Sequence, residues 1–484
     1  MTTSGDSRDK QGAPAMTTQE RRLVQSEIGA LKKMLAQLPE SSVIDRMSLE
    51  ARKRSLEKEL ASQRQAGAEE VPPGYKRTEV GVVPEDWEIR WLDDIASIRN
   101  QKILPSNVDP DTLCVELEHI GQNNGRLLEG STARNSTSSK YRFFAGDVLF
   151  GRLRSYLRKY WHASRDGICT TEIWPLVVNA GRIDSKFLYA IIQSDRFIEA
   201  ASISYGTHMP RADWTVMKNF EVCLPPLPEQ RAIAAALSDA DRLIVALNAL
   251  IAKKRAIKQA AMQQLLTGKK RLPGFEGEWV KTDLRSLCAS ITDGTHYTPK
   301  YVDVGIPFYS VETLTQNEFT NTKHISPEEH EELIKRCKPE RGDILLTRIG
   351  SLGETKLIDW DVNASIYVSL ALLKVKADVC SEYLYAYTKS RQFVSDVGSR
   401  ALLNASPKKI NMEDIGDIPI SAPPSREEQH TIGTLLLDMD AEITAIECRR
   451  EKAQQIKQGM MQQLLTGKVR LVESGCKGAQ PYAE

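Results

Sequence analysis

The sequence predicts a mixed α+β protein of the α/β class, with two heads in tandem, each followed by a long helix. The two helices are expected to pair as an antiparallel coiled coil, and an extra helical hairpin precedes the first head. Three observations predict this. Residues 225–272 return without a gap at 424–471, shifted by 199 positions, with close to half of the aligned residues identical and MQQLLTGK present both times, at Met262–Lys269 and Met461–Lys468. GDVLFGRLR (146–154) aligns with GDILLTRIG (342–350), and SKFLYAIIQSDRF (185–197) with SEYLYAYTKSRQF (381–393), both at a shift of 196. Short β-branched and aromatic runs such as Asp147–Phe150 and Ile173–Val178 alternate with helical ones such as Ser185–Ala201, the texture of an α/β or α+β domain. A tandem duplication of head plus helix accounts for all three.

Residues 1–16, rich in Ser, Thr, Gly and charge, read as a disordered lead. From 17 to 70, Leu23, Ile28, Leu31, Leu35 and Leu38 recur at helical spacing, Pro39 interrupts, and Leu49, Leu56 and Leu60 resume, which predicts a helical hairpin with no role assigned. VPPGYK (71–76) punctuates the chain before the first head at 75–223. The first spacer helix segment occupies 224–272, the second head 273–422, the second helix segment 423–472 and a tail 473–484.

The helices carry the signals of long exposed spacers. Ile233, Leu237, Ala240, Ile244, Leu247 and Ile251 follow a four-three alternation, as do Ile432, Leu436, Met439, Ile443 and Ile446 in the second copy, a seam for another helix. Pro228 with Glu229 marks the first start, and Ser425 with Glu428 the second at capping-box spacing. Gly268 and Gly467 suit left-handed caps, with Lys269 and Lys468 beside the negative helix terminus. A competing reading has each helix merely packing on its own head, because the rest of each helix is polar. Lys254 and Arg450 interrupt the seam, and MQQLLTGK beyond them reads as a joint, a partner site or a simple helix end.

At 484 residues and 41% hydrophobic composition, the chain has material for about three domains with separate cores. No apolar run reaches the roughly 18 residues that cross a bilayer, and the N-terminus has no apolar signal segment, so no membrane association and a cytoplasmic location are expected. The eight cysteines form no CxxC pair and the seven histidines no closely spaced ligand set, so neither a disulfide framework nor a metal site is expected. No GxxxxGK[ST] loop, no Asn or Asp before a Pro-Pro pair and no strand-GxGxxG-helix unit is present, so no catalytic residue is assigned. Asp147 and Asp343, each in a Gly-Asp pair before an apolar strand, read as turn residues.

A net charge of +1 means that any nucleic-acid-binding charge must be local. One patch fits. GRLRSYLRKYW (151–161) interleaves Arg152, Arg154, Arg158 and Lys159 with Tyr156, Tyr160 and Trp161, supplying phosphate pairing, forked guanine readout and stacking surfaces, although a half-buried strand with a basic face would look the same. In the second head only Arg348 remains of this set. The polar loops 206–214, 293–301 and 404–409 add Thr207 and Arg211, then Thr295, His296 and Tyr297, then Lys408 and Lys409, with His296 read as a polar contact rather than a metal ligand.

The order head, PPLPEQ-helix-QQLLTGK, RLPGFEGEW, DGTHYTPKY, GDILLTRIG, EEQ-helix-QQLLTG resembles the specificity subunit of type I restriction-modification enzymes over about residues 75–472. The resemblance implies that each head is a target-recognition domain reading one half of a split, asymmetric site in double-stranded DNA. It implies that the helices set the gap and dock two methyltransferase (modification) subunits, through Ile233, Leu237, Ile244, Leu247, Ile251, Gln263, Leu265 and Leu266 in the first copy and Ile432, Leu436, Ile443, Ile446, Gln462, Leu464 and Leu465 in the second. No cofactor is then expected on this chain: S-adenosylmethionine, ATP and Mg belong to partner subunits, including the restriction (translocase and endonuclease) subunits. The N-terminal 70 residues and the Ser-Arg-Glu entry of the second helix depart from the family pattern. A two-headed coiled-coil adaptor without sequence-specific DNA binding, or a self-sufficient DNA methyltransferase or nuclease, are the competing functions.

Overall fold

The computed structural model describes residues 71–78, 80–202, 210–402 and 404–471, so the expected lead, N-terminal hairpin and C-terminal tail lie outside the described residues. The chain forms two compact units. One runs to Ile233 and includes the segment from Gln463 onward, and the other is Ala234–Gln462. Each unit therefore holds one head, the start of one long helix and the end of the other.

The first head contains β1 (Ala96–Ile98), β2 (Lys102–Ile103), β3 (Leu113–Val115), β4 (Ser131–Thr132), β5 (Lys140–Phe143), β6 (Val148–Gly151), β7 (Tyr160–His162), β8 (Gly167–Thr170) and β9 (Ile173–Val178), then α1 (Ser185–Gln193) and α2 (Asp195–Ser202). The strands make an antiparallel sheet in the order β7-β6-β9-β1 and a second sheet in the order β2-β5-β8-β3-β4, where only β8 and β3 are parallel. All four β6 residues are buried, as a central strand packed on both faces requires. Phe150 of this sheet packs beside Trp174 at 6.1 Å and meets α2 through Phe197, whose ring sits edge-on to it at 5.3 Å.

The second head repeats the plan. It contains β10 (Cys288–Asp293), β11 (Tyr301–Val302), β12 (Ile306–Tyr309), β13 (Lys323–Ile325), β14 (Ile344–Thr347), β15 (Thr355–Leu357), β16 (Ser365–Ile366) and β17 (Leu370–Val375), then helices Ser381–Thr388 and Arg391–Arg400. Its sheets run β15-β14-β17-β10, all antiparallel, and β11-β13-β12-β16, with β12 and β16 parallel. The first order matches β7-β6-β9-β1 strand for strand, so the faint sequence repeat is a repeat of topology. In both heads the aspartate of the Gly-Asp pair closes a turn, Asp147 accepting from Phe144 N and Asp343 from Glu340 N at 2.9 Å each. Each also takes a cation, Arg99 for Asp147 and Lys374 for Asp343.

The long helices are α3 (Leu227–Leu265) and, after the second head, α4 (Arg426–Leu464), 39 residues each and about 58 Å at 1.5 Å per residue. Both ends of one are displaced from those of the other by the same 199 positions. Gly268 (φ 67°) and Gly467 (φ 72°) adopt the left-handed cap, and Lys270 N and Val469 N close back onto Gln264 O and Gln463 O at 3.1 and 3.3 Å.

The apolar positions divide by depth. Ile432 and Leu436 belong to the core of the second head, together with Met262, Leu265, Leu266, Tyr383 and Leu384, so the first turns of α4 and the last turn of α3 are core rather than seam. The reading that a helix packs on its own head holds for the first turns of α4, whereas the last turn of α3 packs on the following head, where the first copy of MQQLLTGK is a joint. Between these ends, ion pairs join Lys254 to Glu442, Arg255 to Glu447, Lys258 to Asp440 and Lys457 to Asp241. From Asp241–Lys457 to Lys258–Asp440 the partner number falls on one helix as it rises on the other, so the helices run in opposite directions along this stretch. Leu247, Ile251, Ile443 and Ala453 are buried along this stretch, while Ile244 and Ile446 are partly covered.

Buried glutamates secure the helix starts. Glu428 carries 0% exposure and accepts from Arg271 Nε and Nη2 at 2.6 and 2.5 Å. Glu229 accepts from Arg470 Nε and Nη2 at 2.7 and 2.8 Å, from Leu471 N at 3.2 Å and from Trp87 Nε1 at 3.1 Å. The expected capping box is thus half formed: Glu428 N donates to Ser425 Oγ at 3.4 Å, but the Glu428 carboxylate turns to arginine. Removing one partner of such a pair strands a buried charge. Arg271→Ala should cost about 3 kcal/mol or more in urea unfolding, whereas Arg255→Ala, which breaks an exposed cross-helix pair, should cost no more than about 1 kcal/mol.

Candidate nucleic-acid interface

The basic segment of the first head is a turn between two strands. β6 ends at Gly151, a 3-10 turn spans Ser155–Leu157, and β7 begins at Tyr160. Arg154 and Arg158 flank the 3-10 turn, both in the left-handed region at φ 51° and 53°. A non-glycine residue held there costs roughly 1 kcal/mol or more and persists only where its surroundings enforce it. Here the enforcement comes from a second loop: Arg154 N donates to Pro210 O at 2.9 Å, Ala212 N to Arg152 O at 2.8 Å, and Leu153 bridges Arg211.

The paired loops aim some of the predicted side chains outward and retain others. Arg154, Tyr156 and Arg211 are exposed. Arg211 Nε lies 3.1 and 3.0 Å from the two oxygens of Glu172, a contact that raises the arginine pKa and keeps it cationic. Arg152 lies over the Trp174 ring at 5.6 Å, and its Nε is buried without a hydrogen-bond partner. Arg158 instead pairs with Asp195 and donates to Gln193 O at 3.3 Å, and Lys159 donates to Leu117 O at 2.6 Å. Those two hold the turn against its own head. Tyr160 and Trp161 are buried, Trp161 edge-on to Phe143 at 5.9 Å, so they are core residues and not stacking platforms. Thr207 lies outside the described residues.

The second head builds the same loop pair. Gly350 N donates to Lys408 O at 2.8 Å, Ile410 N to Arg348 O at 3.0 Å, and Ile349 bridges Lys409. Glycines now take the left-handed positions, Gly350 at φ 87° and Gly353 at φ 82°. Lys408 and Lys409 are exposed. Arg348, at 8% exposure, turns inward: its guanidinium donates to Asp293 at 3.0 Å, Val368 O at 3.1 Å and Ile410 O at 3.4 Å, and burial lowers its pKa. Asp293 also takes Arg336 and His296 Nε2, the latter at 2.9 Å. Thr295 is buried and joins Ile366 O and Val368 N in a short bridge, whereas the His296 side chain and Tyr297 remain largely exposed.

The helix candidates divide the same way. Ile233, Leu237, Leu247, Ile251, Leu265, Leu266, Ile432, Leu436, Ile443 and Leu464 are buried, and Leu465 is partly covered. Gln263 and Gln462 are exposed. Outward apolar side chains sit elsewhere, at Leu243, Leu250 and Ile257, seven residues apart on α3.

Two repeats of a family profile cover most of this chain: the type I restriction modification DNA specificity domain matches residues 84–259 and 276–458. The chain belongs to this family. It is similar to the putative type I restriction enzyme MjaX specificity subunit of Methanocaldococcus jannaschii, with 25% identity covering 82% of this chain and 97% of that one. It is also similar to the EcoDI specificity subunit of Escherichia coli, with 26% identity over 40% of this chain and 44% of that one. The fold matches the crystal structure of the type I S subunit from M. genitalium, with a TM-score of 0.56 and 16% identity over 78% of this chain and 96% of that one. It also matches a chain from work on assembly and conformational transition of the type I R-M system, with a TM-score of 0.51 and 20% identity over 80% and 99% of the two chains.

Several positions that shape this specificity-domain interface are silent in the sequence. Glu172, which accepts Arg152 N on its carbonyl at 2.9 Å and Arg211 on its carboxylate, gives no signal beyond its place just before β9. Gln230 and Gln429 are buried at the helix starts, each accepting an amide at 2.9 Å from the N-cap of a head helix, Asp184 N before Ser185–Gln193 and Cys380 N before Ser381–Thr388. Their shared place in the repeat was the available clue. Asp293 was legible only as the first letter of DGTH, and the Gly294 beside it is required by space, since a Cβ there would lie 2.0 Å from Ile366 O. Gly294→Ala should therefore destabilise the second head by about 1–3 kcal/mol, read as a lowered unfolding midpoint, because backbone has to move.

Proposed function

We propose that this chain is the non-catalytic, sequence-reading subunit of a cytoplasmic type I restriction-modification complex, each head being a target-recognition domain for one half of an asymmetric, split site in double-stranded DNA. The observation that carries this is the repeated loop pair: one backbone frame, held by the same hydrogen bonds in both heads, presents different side chains. Arg152, Arg154, Tyr156 and Arg211 contact DNA in the first head, and His296, Tyr297, Lys408 and Lys409 in the second. Arg158, Lys159, Thr295 and Arg348 position the loops. Phosphate contacts supply most of the affinity and base contacts the discrimination.

The opposed helices act as a coiled-coil ruler whose length sets the unspecified gap. Cross-helix ion pairs and the buried Leu247, Ile251 and Ile443 support that reading. Two modification subunits dock on the helices, and the outward Leu243, Leu250 and Ile257 offer one of them an apolar stripe at heptad spacing. Those subunits bring S-adenosylmethionine, and restriction subunits bring ATP and Mg.

The test uses the complex assembled with its modification subunits, profiling methylated bases in DNA. A bipartite motif is the expected result. Arg154→Ala with Arg211→Ala should relax one half only, and Lys408→Ala with Lys409→Ala the other. Each lost phosphate contact should reduce the salt dependence of binding by about one in slope. No enriched motif would favour the adaptor reading, and methylation or cleavage by the purified chain alone would make it an enzyme. Deleting facing heptads from α3 and α4 should change the gap and leave both half-sites intact; an unchanged gap would sink the ruler.

A further inference from the structure

At the junction of the second head with α4, three side chains with metal-binding atoms converge. Cys380 precedes the helix Ser381–Thr388, Glu382 lies in its first turn, and His430 lies in the first turns of α4. Cys380 Sγ is 3.0 Å from Glu382 Oε2 and 3.9 Å from His430 Nδ1, and the three ligand atoms lie within 4.8 Å of one another. A tetrahedral zinc ion with bonds of roughly 2.0–2.3 Å holds ligand atoms about 3.5 Å apart, so these distances bracket what the ion needs. Cys380 is buried while Glu382 is half-buried and His430 exposed, which leaves solvent a way in. The frame is fixed, because Gln429, adjacent to His430, accepts Cys380 N at 2.9 Å and donates to Pro423 O at 3.0 Å.

The first head shows what the duplication places here otherwise. At the equivalent positions stand Asp184, Lys186 and Arg231, and Asp184 faces Arg231 at 3.9 Å. Asp184 caps α1 by accepting from Lys186 N and Phe187 N, the ordinary work of an N-cap. Cys380 makes no side-chain cap bond. The second head has thus replaced a capping residue and an ion pair with a thiol, a carboxylate and an imidazole, a set that capping does not explain and that suits a borderline-soft divalent cation.

We propose that Cys380, Glu382 and His430 bind one zinc-type divalent ion, with water in the fourth position, clamping the second head to the start of α4. On binding, the Cys380 thiol gives its proton to solvent, its hydrogen bond to Glu382 is replaced by a metal-sulfur bond, and no electron is transferred. The site differs from the sequence expectation of no metal because its ligands are about 50 residues apart and meet only through the fold. It is independent of how the heads meet DNA.

The test titrates the chelator-treated full chain with Co²⁺ and follows thiolate-to-metal charge-transfer absorption. The expected result is saturation at one equivalent, loss of the band in Cys380→Ser, and at least a tenfold weaker affinity in His430→Gln. Zn²⁺ should raise the melting temperature of the parent chain and not of His430→Gln. A full-strength band in Cys380→Ser, or no band in the parent chain at saturating Co²⁺, overturns the proposal. If Cys380→Ser does not fold, an unchanged affinity in His430→Gln overturns it instead.

Discussion

A buried glutamate at the start of each long helix, satisfied by an arginine from beyond the end of the other, is the constraint on which the architecture turns. Glu229 takes Arg470 and Glu428 takes Arg271. Without its arginine either carboxylate would be a buried charge with no ionic partner, and taking such a charge out of water costs several kcal/mol. Within each unit the pair therefore ties one helix start to one helix end. The two helices have 39 residues each, and the same glutamate-arginine junction recurs at the start of both.

The junctions and the loops repeat separately. Gln230 and Gln429 hold helices Ser185–Gln193 and Ser381–Thr388 to the long helices in the same way in both copies, and the paired loops keep the same backbone hydrogen bonds while displaying different side chains. Head one places Arg154 and Arg158 in left-handed positions where head two spends glycines. The fate of the equivalent arginines differs for a local reason. By strand register Asn100 corresponds to Asp293, and without a carboxylate there Arg152 lies over Trp174 while Arg348 is drawn inward.

This explains which parts were legible in the sequence. Helix ends were readable because Gly268 and Gly467 have a local cause, and the likeness of the two heads was readable from the aligned runs, whereas the strand order emerged only in the fold. Burial was not, since it depends on what covers a residue. Tyr160 and Trp161 look like stacking groups until Tyr189 and Phe143 pack on them, and Arg348 reads as a surface cation until Asp293 meets it. The four-three seam runs unbroken from Ile432 to Ile446 in sequence, yet Ile432 and Leu436 belong to a head. Periodicity reports which face is covered and not by what.

The helix pairing also records where the two copies ceased to be equivalent. Lys258–Asp440 and Lys457–Asp241 are the same ion pair related by the 199-residue shift, so this contact is symmetric. Lys254–Glu442 has no such twin, because its shifted positions are Ala453 and Leu243. The same shift carries Leu250 to Arg449, while Ile257 and Ile456 remain matched. One helix thus shows an outward apolar stripe where the other shows charge at two of three positions. The outer surfaces of the two helices are therefore not identical, although their ends and the symmetric ion pair are.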